Sequence, residues 1–170
     1  MLSAVALAAP ETRQLGPYTV SFDLNTNLNY QVQTSDPMDT GSATVYGMRI
    51  LTDNSTGAGV NIIENKELTD STTSMIKLLI NYGLAFSGIN TTNIVDQTID
   101  GKNGFVAIGV PFAGQSNAPS QLYRAIYWLD SVDCTTCGPV SVGKTSVDIS
   151  STYPQDVTQN LLNSIHVAKS

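Results

Sequence analysis

The feature that most constrains this chain is a change of hydrophobic period. In PYTVSFDL, residues 17–24, Tyr18, Val20, Phe22 and Leu24 fall on one side and Thr19, Ser21 and Asp23 on the other. Such strict alternation marks a strand with one buried face. LNYQVQT, residues 28–34, repeats it with Leu28, Tyr30 and Val32, and Asn25-Thr26-Asn27 between them predicts a turn, hence a hairpin. A polar loop, 35–42, separates this pair from ATVYGMRILT (43–52) and AGVNIIE (58–64), two further strands joined by the turn DNSTG. The period then becomes helical. From Asp70 to Leu84 the residues Met75, Ile76, Leu78, Leu79, Tyr82 and Leu84 recur at helical spacing. Thr69, Asp70 and Ser71 supply N-caps, and Gly83 and Gly88 supply stops.

Alternation resumes near Ile94. TNIVDQTI and GFVAIGVPF flank DGKNG, residues 100–104, a turn whose Gly and Asn tolerate positive φ. SQLYRAIYWLD, 120–130, is apolar on both sides, with Leu122, Ile126 and Trp128 against Tyr123, Tyr127 and Leu129; this predicts a central strand covered on both faces. Residues 140–149 predict another strand. Pro154 opens a short helix that buries Val157, Leu161, Leu162 and Ile165. The expected architecture is α+β: a largely antiparallel sheet of about six to eight strands with two main helices packed on it. A chain of 170 residues can bury a full core, so residues 10–170 are expected to form a single domain.

Only 13% of residues are charged, about half the usual share, and polarity rests on 19 Thr, 17 Ser and 13 Asn. That usage favours an extracytoplasmic protein. A net charge of −6 repels a nucleic-acid backbone and an anionic membrane surface. No stretch approaches the ~20 apolar residues of a membrane span. MLSAVALAA, residues 1–9, resembles the end of a signal or lipoprotein leader, giving a possible lipid or leader tether; the competing reading is an N-terminal strand. Asn54 and Asn90 head Asn-x-Ser/Thr sequons in predicted loops, where a glycan could be attached.

CTTCGPVSVGKTS, residues 134–146, carries two motifs. A reactive Cys-x-x-Cys needs a helix N-terminus or a cation to lower the thiol pKa, whereas Asp130 and Asp133 precede Cys134 and Cys137. A disulfide closing the loop is favoured, worth roughly 2 kcal/mol for so short a ring; a redox pair and half a zinc site are the alternatives. Gly138-x-x-x-x-Gly143-Lys144-Thr145 has the letters of a phosphate loop, which requires a helix beginning at the lysine. Here Ser146 to Ser151 alternate as a strand, so no phosphate loop is expected. His166 is the only histidine and is expected on the surface, and no Gly-x-Ser-x-Gly elbow exists. Asp36 and Asp39 could contribute to a calcium site, but the EF-hand spacing is absent. Tyr123 and Tyr127 are candidates for the mouth of a ligand cleft. No catalytic residue, metal or cofactor is assigned.

The succession of a long helix, the hairpin DQTIDGKNGFVAIGV, then QLYRAIYWLD, SVGKTSVDISS and YPQDVTQNLLNSIHV resembles the layout of the PsbP-like superfamily over residues 17–168. The resemblance implies an antiparallel sheet between helices, a last helix running into a short terminal strand, and an accessory or binding role. The expected function is therefore an extracytoplasmic, non-enzymatic binding or accessory module for a protein or small-molecule partner. A thiol-disulfide protein using Cys134 and Cys137, or a structural subunit of a surface assembly, are the alternatives.

Overall fold

Two antiparallel sheets share one core in the computed structural model, which describes residues 10–52, 56–66, 73–114, 119–130 and 143–170. The first has three strands in the order β1 (Glu11–Leu15), β2 (Tyr18–Phe22), β11 (His166–Lys169). The second runs β3 (Tyr30–Thr34), β5 (Ala43–Thr52), β6 (Gly57–Asn65), β10 (Thr145–Ser151), β9 (Leu122–Trp128), β8 (Lys102–Pro111), β7 (Ile89–Ile99), with the short β4 (Met38–Asp39) also on β5. Two helices complete the described residues, α1 (Thr73–Phe86) and α2 (Gln155–Ser164). The fold is predominantly antiparallel β with two helices, and its strands divide between two sheets instead of the single sheet expected.

One face of the large sheet presents Met48, Ile50, Val60, Ile62, Ala125, Tyr127, Val147 and Ile149. Against it pack Tyr18, Val20 and Phe22 of the small sheet and Val157, Leu161 and Leu162 of α2. The opposite face carries a second cluster, Phe105, Ala107, Ile126 and Trp128, beneath Ile80 and Leu84 of α1. Strand β9 feeds both clusters, as its two-sided apolar pattern predicted.

The hairpin expected over 17–34 does not form. Both edges of β2 are taken, by β1 and by β11, so β3 pairs with β5 in the other sheet. The local reason is a tighter turn upstream. Leu15 pairs with Tyr18 across Gly16-Pro17, and Gly16 has φ +58°, the glycine-first pattern of a two-residue hairpin turn. A Cβ there would strike the Tyr46 ring. Downstream, the Ser164 hydroxyl donates to the Asp23 carbonyl (2.8 Å) and the Asn160 amide to the Leu24 carbonyl (3.1 Å). These bonds tie the exit of β2 to α2 and carry the chain away from its neighbour.

The β7–β8 turn is shorter than DGKNG suggested. Ile99 pairs with Lys102, leaving Asp100 (φ +53°) and Gly101 (φ +68°), both left-handed as a type I′ hairpin requires. Strand β7 begins at Ile89, so Asn90 lies in an edge strand and not in the expected loop; its side chain is exposed.

Helix α1 departs from expectation in two respects. Gly83 lies within it, and Gly88 (φ +78°) follows its end. The apolar residues do not share one buried side: Ile80 and Leu84 face inward, while Met75, Leu78, Leu79 and Tyr82 are each more than half exposed. No helix among the described residues is long and apolar enough to cross a membrane.

Candidate functional site: a lysine-lined cleft

The chain leaves Lys144 in an extended strand, Thr145–Ser151, with Val147 and Ile149 buried as the alternation predicted. The phosphate-loop lettering therefore lacks its helix. The amides at its end already have an acceptor. The Asp130 carboxylate accepts Lys144 N–H (3.0 Å) on one oxygen and Thr145 N–H (2.7 Å) on the other. The chain supplies its own anion where a phosphate loop would hold a phosphate. The Lys144 carbonyl in turn accepts both the backbone and side-chain N–H of Asn65, each at 3.0 Å, which seats this corner on β6. A Cβ on Gly143 would run into the backbone of Asp130, so only glycine fits the approach.

This corner forms one wall of a cleft of about 460 Å³ where the ends of β5, β6, β10 and β11 converge. Thr44, Asn65, Lys66, Lys144, Thr145 and Lys169 line it together with the carboxylates of Glu64 and Asp130. Three of the five lysines of a chain with net charge −6 thus meet at one place. Two are compensated. Lys66 pairs with Asp39 at 3.1 Å and Lys169 with Glu64 at 2.8 Å. The hydrogen bond to Glu64 leads the causes that raise the Lys169 ammonium pKa, so this lysine stays charged. The Gly41 amide, and after it Lys66, holds the Asp39 carboxyl below the usual carboxylate range. Among the described residues the Lys144 ammonium has no ion-pair partner, and it is exposed.

Tyr18 lies under the cleft. Its ring sits 5.4 Å from the Lys169 ammonium and is almost wholly buried. Its hydroxyl closes no hydrogen bond among the described residues, and burial raises its pKa, with Glu64 adding to the rise and Thr145 and Lys169 opposing it. A neutral phenol therefore underlies the lysines.

A second polar surface occupies the outer face of the large sheet beside α1. Register aligns Arg49, Gly59, Ser150 and Arg124 in one row and Gly47, Asn61 and Asp148 in the next. Arg124 grips Asp148 with two bonds, Nε to Oδ1 at 3.2 Å and Nη2 to Oδ2 at 2.5 Å, and this raises the guanidinium pKa. Asp148 is buried and Arg124 half-buried. A Cβ on Gly83 of α1 would come only within 3.9 Å of the guanidinium. The 260 Å³ cleft nearby is lined by Gln33, Ser35, Arg49 and Asn61, and not by this pair.

The remaining sequence candidates are placed as follows. Tyr123 and Tyr127 are buried in the main core and line neither cleft. The Tyr127 hydroxyl lies 3.5 Å from Asp100, and burial, then Asp100, pushes its pKa far up. The Tyr123 hydroxyl has no partner among the described residues, and desolvation raises its pKa. The His166 ring is exposed, and its Nδ1 meets the almost wholly buried Asp100 carboxylate at 2.6 Å. The other Asp100 oxygen accepts Val167 N–H at 3.0 Å, so the pair clamps β11 to the β7–β8 turn. Among the described residues no hydroxyl hydrogen-bonds the His166 ring. Cys134, Cys137 and Asn54 lie outside the described residues.

Sequence reasoning missed the lysine cleft because its lysines stand at 66, 144 and 169, with no local pattern linking them. The only local trace in the sequence is Gly143-Lys144-Thr145, whose Lys144 and Thr145 lie on the cleft wall. The chain matches no family model, no curated protein and no solved structure.

Proposed function

We propose that the protein is an extracytoplasmic, non-enzymatic binding module that holds an anionic group of its ligand in the lysine cleft. The observation that carries this reading is the convergence of Lys66, Lys144 and Lys169 from three distant segments, with the Lys144 ammonium without an ion-pair partner among the described residues, in a chain otherwise poor in cations. Such a cleft can orient a carboxylate or phosphate through point-charge contacts. Among the described residues its two carboxylates are already engaged, Asp130 by backbone amides and Glu64 by Lys169, so neither is set to move a proton to and from a bound molecule. The extracytoplasmic address is supported by the low charged fraction and the hydroxyl- and amide-rich composition. The PsbP-like resemblance points the same way, toward an accessory or binding role.

The test is a nitrogen-15 NMR titration with inorganic phosphate and with citrate. Saturable shifts confined to the amides of Asn65, Lys144, Thr145 and Lys169 are expected. Lys144→Ala should weaken binding about tenfold, the worth of one charge-assisted contact. Shifts that grow linearly, and equally at Lys77 and Lys102, would defeat the proposal.

A further inference from the structure

The outer face of α1 carries large apolar side chains that are exposed. Phe86 is 92% exposed, Leu79 59% and Tyr82 56%, with Met75 and Leu78 also more than half exposed. Isolated exposed apolar residues are ordinary, but several large ones in one stripe mark an interaction surface. Met75, Leu79, Tyr82 and Phe86 succeed one another at steps of four, three and four, the spacing of a seam that packs against another helix. No charged residue belongs to the stripe; the sole charge of the described helix, Lys77, is turned aside to Asp96 on β7 at 2.6 Å.

We propose that α1 is the interface of a two-fold dimer of this chain, its seam packing antiparallel on the same seam of a second copy. The spacing is its own mirror image. The midpoint of Met75 and Phe86 coincides with that of Leu79 and Tyr82, between Ile80 and Asn81. A two-fold axis through that point sets Leu79 against Tyr82 of the second copy, and Met75 against its Phe86, as an isologous contact demands. The area is also of the right order. Given that aromatic side chains bury about 150–250 Å² each and aliphatic ones somewhat less, the five exposed fractions amount to roughly 550 Å² per copy. A standard interface takes about 800 Å² per partner, so the seam is its core and the flanking surface its rim. The interface lies on the β7–β8 side of the large sheet, away from the β5, β6, β10 and β11 ends that build the lysine cleft, so it stands independently of the ligand proposal.

Sedimentation velocity across a concentration series tests it. The wild type is expected to reach twice 18.1 kDa. Its dimer should tighten as salt rises from about 10 to 150 mM, because each copy carries −6 and the seam has no ion pairs to lose. Leu79→Lys and Tyr82→Glu should each be monomeric with unchanged circular dichroism. Mixing the two should restore a dimer, because the antiparallel axis sets the new lysine against the new glutamate while a Tyr82–Leu79 contact survives on the other side. Four results overturn the proposal. They are a wild type that stays monomeric to about 100 μM, a dimer indifferent to both substitutions, a mixture that stays monomeric, and a monomer that co-sediments with neutral phosphatidylcholine vesicles through this face.

Discussion

Replacing Asp130 with alanine tests the geometry of the cleft most directly. Its carboxylate accepts Lys144 N–H at 3.0 Å and Thr145 N–H at 2.7 Å. The site is exposed enough for water to take over, so each lost bond should cost about 1 kcal/mol, and the variant about 2 kcal/mol in all. Against a stability on the order of 5–15 kcal/mol it remains folded. The cleft changes in the opposite sense. Two amides are released and one negative charge is removed beside Lys144. At an effective dielectric of ~20–80 and a separation of several ångströms, that charge is worth roughly 1–3 kcal/mol to a bound anion. Asp130→Ala should therefore be less stable but bind phosphate roughly five- to a hundredfold more tightly. Urea unfolding reads the first quantity, and the phosphate-dependent amide shifts of Lys144 and Thr145 read the second. Asp130→Asn, which keeps one acceptor and loses the charge, should fall between. Unchanged stability together with unchanged phosphate affinity would refute the claim that this carboxylate occupies an anion-binding corner.

Asp100→Ala removes the contacts to His166 and Val167 and leaves the buried Tyr127 hydroxyl without its acceptor, so a loss of about 3–5 kcal/mol is expected in urea unfolding. Asp100→Asn, which tolerates the left-handed backbone, should lose less than half of that; equal losses would show that the clamp does not act through the carboxylate. Gly83→Ala should stabilise the protein by about 0.5–1 kcal/mol, since the position is helical and the nearest foreign atom to a new Cβ is 3.9 Å away. A fall in melting temperature would contradict that packing. Burial pushes the Tyr153 pKa up to about 12 from an ordinary value of 10.0. The folded state thus favours the neutral phenol, and the corresponding stability is whole below pH 10 and is lost as pH rises from 10 through about 12. Tyr153→Phe should shed that part of the alkaline slope. At pH 8 it should cost about 1–2 kcal/mol, because the Ile50 carbonyl loses its 3.1 Å donor. An unchanged slope would count against the assignment.

Read alone, the sequence determined what each segment does to its own backbone. Alternation over residues 17–24 marked a strand and named Tyr18, Val20, Phe22 and Leu24 as its buried face, because a two-residue period follows from covalent geometry alone. The apolar pattern of 120–130 revealed a strand buried twice over, and Val147 and Ile149 revealed that the backbone beyond Lys144 is extended. Tertiary structure decided which edges meet. Periodicity fixes a face but is silent on a hydrogen-bonding partner, and so β2 turned back on β1 and took β11, instead of pairing with its neighbour β3. Helix α1 is apolar nearly all round, so no pattern could say that Ile80 and Leu84 would face the sheet while Leu79, Tyr82 and Phe86 face out. The cleft belongs wholly to the tertiary level. Lysines 66, 144 and 169 come together because β6, β10 and β11 end on one side of the molecule, and contacts between residues about 80 apart are a property of topology that no local propensity encodes.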